Sequence, residues 1–155
     1  MTIRNALAKD VAAIHSLIIA LAVYEKEPNA VINSPENLLE DLIIHKRCFA
    51  IVAEDQKQII GFALYYFGYS TWKGRTLYLE DIFVQENARK KGVGQALFDE
   101  ILKRARTERV KRMDWQVLTW NTPAINFYKK NKKLCTNIVS IKFAMVLQCI
   151  NGKNK

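Results

Sequence analysis

The chain has 155 residues, half of them hydrophobic and a quarter charged, which is enough for one domain with a real core, and it contains no repeat or low-complexity run. A formal net charge of +9 raises nucleic acid as a partner, but residues 1–81 carry 8 Lys/Arg against 10 Asp/Glu and residues 82–155 carry 16 against 5, and no recognition motif accompanies the basic half. The apolar runs are too short for a bilayer, the first residues lack a signal-peptide pattern, and Cys48, Cys135 and Cys149 are too scattered for a disulfide frame or a zinc site; free thiols in a cytoplasmic protein without metal or membrane partner are expected.

In chain order, Thr2 to Asn5 predicts a strand, and Asp10 is placed to cap a helix whose apolar residues Val11, Ile14, Leu17, Ile18 and Leu21 return at helical spacing. That helix runs into Tyr24-Glu25-Lys26-Glu27-Pro28, where the proline forces a loop. Ser34-Pro35 opens a second helix with an apolar face at Leu38, Leu39, Leu42 and Ile43. Strands are predicted at Cys48 to Ala53 and Ile59 to Tyr69, with a turn at Asp55 to Gln58. The second carries Tyr65, Tyr66, Phe67 and Tyr69, most of them expected in the core and one or two along a cleft. A second hairpin turns at Ser70 to Arg75, and Leu77 to Val84 is apolar enough to be a central strand buried on both faces.

After a polar turn, Arg89-Lys90-Lys91-Gly92-Val93-Gly94 opens a helix with apolar residues at Val93, Ala96, Leu97, Ile101, Leu102 and Ala105. A glycine-punctuated basic turn at a helix start offers unpaired N–H groups and partial positive charge to an anion. The run is neither G-x-G-x-x-G nor a Walker loop, and on these residues alone a tight turn with solvated charges is an equal reading. Arg112 to Leu118 predicts a strand, Asn121 to Asn131 a helix, and Leu134 to Ile150 a β-rich segment before a disordered tail at 151–155. The order β-α-α-β-β-β-α-β-α-β fits a single α/β (α+β) domain over residues 1–150, a mixed sheet with helices on both faces.

The spacing of Arg89, Gly92 and Gly94 resembles the pyrophosphate-binding motif of the GNAT superfamily of acetyl-CoA-dependent N-acetyltransferases. More narrowly, Tyr69 to Val84, Trp120 to Lys129 and the opening up to Tyr24-Glu25 resemble its diamine and thialysine branch, over about residues 1 to 131. The resemblance implies a sheet splayed beside the central strand, with the pantetheine arm in the gap, and a homodimer. It implies backbone contacts to the cofactor from Ile82, Phe83 and Val84, a pyrophosphate held by Arg89, Lys90, Lys91, Gly92, Val93, Gly94 and Gln95, and support near the sulfur from Asn121, Thr122, Pro123 and Ala124. Lys129 and Lys130 are candidates for the outer phosphate.

Acetyl transfer to an amine needs a base, because a lysine-type ammonium has a pKa near 10.4. It also needs polarisation of the carbonyl oxygen and a proton for the departing sulfur. Glu80 is the candidate base, acting through water, and Tyr128 matches the family tyrosine that protonates the sulfur. Tyr24, Glu25, Glu80, Asp81 and Trp72 are the candidate substrate contacts, although strand alternation puts Glu80 and Asp81 on opposite faces. Two departures stand out. Ser70 occupies a position where polyamine acetyltransferases carry aspartate, which favours a shorter amine such as lysine, thialysine or a diamine. The acidic loop and tryptophan strand that the family carries after the tyrosine helix have no counterpart after Asn131. Acetylation of protein lysines or N-termini, and a non-catalytic acetyl-CoA-binding module, are the alternative readings.

Overall fold

The computed structural model describes residues 1–131 and 139–141. One sheet organises it. Strands β1 (Thr2–Asn5), β2 (Phe49–Asp55), β3 (Gln58–Ser70) and β4 (Gly74–Val84) pair antiparallel in sequence order, and β5 (Arg112–Trp115) and β6 (Val139–Ile141) then add in parallel. Helices α1 (Val11–Tyr24) and α2 (Pro35–Leu39) cover one face, with Val11, Ile14, Leu17 and Leu38 packed on Val52, Phe62 and Phe83. Helices α3 (Val93–Thr107) and α4 (Thr122–Asn131) belong to the opposite face, where Leu97, Phe98, Ile101 and Tyr128 meet Leu77, Leu79 and Trp115. Fully buried Phe98 stands edge-on to both Trp115 and Phe127, so its truncation to alanine would cost about 3–5 kcal/mol.

The local signals act as expected at several ends. Ser34 accepts the Asn37 N–H ahead of Pro35, although α2 soon loosens into a π-helical turn over Glu40–Ile44. Gln56 and Lys57 both have positive φ, as a tight hairpin linking twisted strands requires. Asp10 does otherwise. It does not cap α1; its carboxylate accepts the Leu7 N–H and pairs with Arg4, fixing a short 3-10 turn at Ala8–Asp10. The aromatic run of β3 is also less buried than predicted. Tyr65 is in the core, but Tyr66 is part exposed and Tyr69 is 79% exposed, because β3 runs out past the helices toward its hairpin. The β-rich segment is described only at β6; the rest of it, Cys135, Cys149 and the tail lie outside the described residues.

Two irregularities shape the middle of the sheet. Tyr65 pairs with Leu79 but Leu64 pairs with Asp81, so Glu80 is an extra, unpaired residue in β4. Such a bulge bends its strand and raises the local twist. Just there the pairing of β4 with β5 stops, at Leu79 with Trp115. The strand predicted to reach Leu118 therefore ends at Trp115, and Gln116 to Leu118 face Glu80 to Val84 across an open cleft.

Candidate active site

The cleft has a volume of about 330 Å³ and is walled by β4 from Tyr78 to Val84, the chain from Gln116 to Asn121, the end of α1 and the start of α4. The outward edge of β4 is available along it. Gln85 donates its N–H to the Ile60 carbonyl of β3; with strand alternation, the backbone groups of Val84 and Ile82 face the opposite, open edge. An amide-bearing ligand laid in this gap would continue the sheet. Gly61, opposite Val84, keeps this edge in place: a Cβ there would lie 2.9 Å from the Phe83 carbonyl oxygen.

At one end of the cleft lies the turn after β4. Lys90 and Gly92 both have positive φ, and Gly92 is the residue before α3. The first intrahelical bond is from the Ala96 N–H to the Gly92 carbonyl, which leaves the N–H groups of Val93, Gly94 and Gln95 without an acceptor inside the helix. Left-handed residues beside a helix start curl successive N–H groups into a concavity suited to an anion. Lys90 and Lys91 are exposed on its rim. The turn and the open β4 edge thus fit a ligand made of a diphosphate and an amide-rich arm. The Gln95 side chain points elsewhere, bonding Asp99 and Asn131, so its backbone alone faces this end. Lys129 and Lys130 are exposed in the last turn of α4.

The other end is acidic. The bulge overturns the alternation argument for Glu80 and Asp81. Before it, Leu77 and Leu79 pack on the α3 side; after it, Ile82 and Val84 do, while Phe83 packs on the α1 side. Parity is reset at Glu80, so Glu80 and Asp81 share the α1 side instead of opposing one another. Glu25, just past α1, makes a third carboxylate. Burial raises the pKa of Glu80 and of Glu25. Asp81 is pushed up to about 7, by burial first and then by the charges of Glu80 and Glu25. Burial, followed by Asp81 and Glu25, also raises Tyr128, keeping its phenol protonated at neutral pH. Tyr128 packs against Trp115 and Phe98 and lines the cleft.

Between the two ends, Asn121 is 8% exposed, and its side-chain oxygen accepts from the Tyr24 hydroxyl and from the Ala124 N–H. Pro123 and Ala124 line the cleft; Thr122 is exposed. Trp120, not singled out from the sequence, packs on Tyr24 with Lys26 over its ring. Its sequence signal was its place at the head of the Trp120 to Lys129 stretch that carries the resemblance. Trp72 is not brought to this cleft: it stands 94% exposed near the tip of the β3–β4 hairpin. Ser70 closes that hairpin by accepting the Lys73 N–H, a task an aspartate performs equally well. Among the described residues no group of three or more His, Cys, Asp or Glu side chains is arranged to hold a metal, and no helix is long and apolar enough to cross a membrane.

Comparison with known proteins identifies the family. The family model described as "Acetyltransferase (GNAT) family" matches residues 9–132. A thialysine N-epsilon-acetyltransferase of Bos taurus is 37% identical over 136 residues, covering 82% of this chain and 80% of that protein. A spermidine/spermine N(1)-acetyltransferase-like protein 1 of Homo sapiens is 35% identical over 134 residues, 81% of this chain but 19% of that protein. Among solved structures, an aminoglycoside acetyltransferase from an uncultured soil metagenomic sample superposes with a TM-score of 0.74 at 18% identity, covering 94% of this chain and 95% of that one, a likeness of fold alone.

Proposed function

This chain belongs to the acetyltransferase (GNAT) family, an acetyl-CoA-dependent N-acetyltransferase of small amines, and we propose that its acceptor is the terminal primary amine of a short cationic molecule, of the lysine and thialysine type or a diamine. The observation that carries this reading is the acidic end of the cleft. Glu25 and Glu80 line the cleft with Tyr128 beside the open β4 edge, and Asp81 lies close enough to interact electrostatically with all three. The curated relatives named for thialysine support the same class of acceptor.

Acetyl-CoA supplies the acyl group already activated as a thioester. The chain's own groups do the rest. The backbone of Ile82 and Val84 aligns the amide arm, and the N–H groups from Lys90 to Gln95 hold the diphosphate. The carboxylates attract the ammonium. The pair Glu80 and Asp81 then takes its proton: Glu80 stands at the cleft wall, and Asp81 beside it has an affinity matched to neutral pH. Tyr128, still protonated, donates to the departing sulfur. A homodimer is part of this reading, supported by the exposure of Trp72 and Tyr69, aromatic side chains that a second copy would cover.

The test is release of free thiol from acetyl-CoA with lysine, thialysine, putrescine, spermidine, spermine and a histone-tail peptide as acceptors. Turnover of one or two short amines is the expected result. Turnover of the peptide alone would replace the reading with protein acetylation. Binding of acetyl-CoA without turnover of any acceptor would leave a non-catalytic module.

A further inference from the structure

Arg89 heads the turn that receives the diphosphate, yet its side chain is directed back into the protein. Its Nε donates to the Val84 carbonyl at 3.0 Å, on the open edge of β4. The guanidinium carbon lies 4.9 Å from the centroid of the Tyr24 ring and 5.4 Å from that of Phe83. The Tyr24 hydroxyl in turn donates to Asn121 Oδ1 at 3.2 Å, and the same oxygen accepts the Ala124 N–H, also at 3.2 Å, in the first turn of α4. Tyr128 follows Ala124 one turn later in that helix. An unbroken series of contacts therefore joins the end of β4, the end of α1 beside Glu25, and the start of the helix carrying Tyr128.

We infer that Arg89 is a positioning residue that locks the amine-binding end of α1 and the tyrosine helix onto the cofactor edge of β4, and that its side chain is not a ligand of the diphosphate. The inference rests on the acetyl-transfer reading for its readout in turnover. Arginine suits this task for physical reasons. Its planar fork donates edge-on to a carbonyl while lying against an aromatic face. Lysine carries the same charge but has neither the plane nor the Nε donor. The two roles for Arg89 thus separate under Arg89→Lys, which keeps a cation for phosphate and dismantles the lock.

The experiment compares wild type with Arg89→Lys, using acetyl-CoA and S-acetylpantetheine, a donor with no diphosphate. The lock predicts a fall in kcat/KM of about tenfold with either donor, carried by kcat and by the KM of the amine. A loss confined to acetyl-CoA would overturn it. Calorimetry with adenosine 3′-phosphate 5′-diphosphate, the fragment of the cofactor that carries the diphosphate, gives a readout independent of turnover. Affinity within about twofold of wild type is expected, because the screened rim charge is unchanged and the backbone N–H groups bind; a loss of tenfold or more assigns Arg89 to the phosphate after all. Tyr24→Leu supplies the same donor comparison with Arg89 intact, should Arg89→Lys fail to fold. The double variant should lose little beyond Tyr24→Leu, and additive losses would show that the two residues act separately. A wild type inert toward every acceptor with both donors sinks the acetyl-transfer reading, while calorimetry with the diphosphate fragment still decides the place of Arg89.

Discussion

The two ends of the cleft are built on opposite principles. The basic end is a matter of backbone: positive φ at Lys90 and Gly92, and N–H groups at the start of α3. Its lysines are exposed, and the one arginine of the turn faces inward. The acidic end is a matter of side chains: three carboxylates and a tyrosine whose proton affinities are raised by burial, and for Asp81 and Tyr128 by neighbouring carboxylates as well. A diphosphate presents many equivalent acceptors and can be held by whatever N–H groups converge on it. A proton must leave one atom for another, and that needs particular groups at particular affinities. The basic end should therefore tolerate changes of side chain and resist changes of backbone, and the acidic end should do the reverse.

The largest effect should fall on the acidic end. Tyr128→Phe leaves the packing against Trp115 and Phe98 in place and removes only the phenol. Turnover should fall about 100-fold with acetyl-CoA affinity unchanged, as checked by steady-state kinetics beside calorimetry. Full activity would remove Tyr128 from the chemistry. Next comes the backbone of the basic end. A Cβ on Gly92 meets nothing within 4 Å, so any effect of Gly92→Val comes from its φ of +81 and not from a clash inside the protein. The strain is about 1–2 kcal/mol, and a β-branched residue should weaken acetyl-CoA binding about tenfold as the turn relaxes. Unchanged affinity would mean that the diphosphate lies elsewhere.

Asp81→Asn sharpens the comparison through pH. The folded-state pKa of Asp81 is raised, so folding favours its protonated form; its ionisation costs stability as pH rises from the ordinary carboxylate range toward 7. The variant should be more stable than wild type at pH 8, by about 3–4 kcal/mol, and gain nothing at pH 4. Its activity should fall while the acidic limb of kcat/KM moves to lower pH, because the remaining carboxylate, Glu80, is raised by burial without Asp81's added neighbours. An unmoved limb would remove Asp81 from the proton path. The smallest effect belongs to the rim of the basic end. Replacing Lys90 and Lys91 together by alanine should weaken acetyl-CoA binding only about threefold, and less at high salt. A loss as large as that of Gly92→Val would break the comparison.

The elements of the fold were readable because each is written locally. The apolar stripe from Val93 to Ala105, the Ser34-Pro35 start and the tight turn before β3 all depend on residues within a few positions of one another. Asp10 misled for the opposite reason: a good capping residue found a stronger partner in Arg4. Burial along β3 was misjudged because aromatic composition does not say where the covering helices end.

The sequence by itself determined that a strand would deliver its backbone to a glycine turn at a helix start, and that acidic and basic residues would occupy different halves of the chain. The tertiary structure decided which carboxylates act together. Glu80 and Asp81 lie on one side because pairing with β3 leaves Glu80 as the odd residue of a bulge, and no period in β4 alone records what its neighbour can match. It also decided the direction of Arg89, since a guanidinium goes to the carbonyl and the aromatic face it can reach, and those come from β4 and from a helix far back in the sequence.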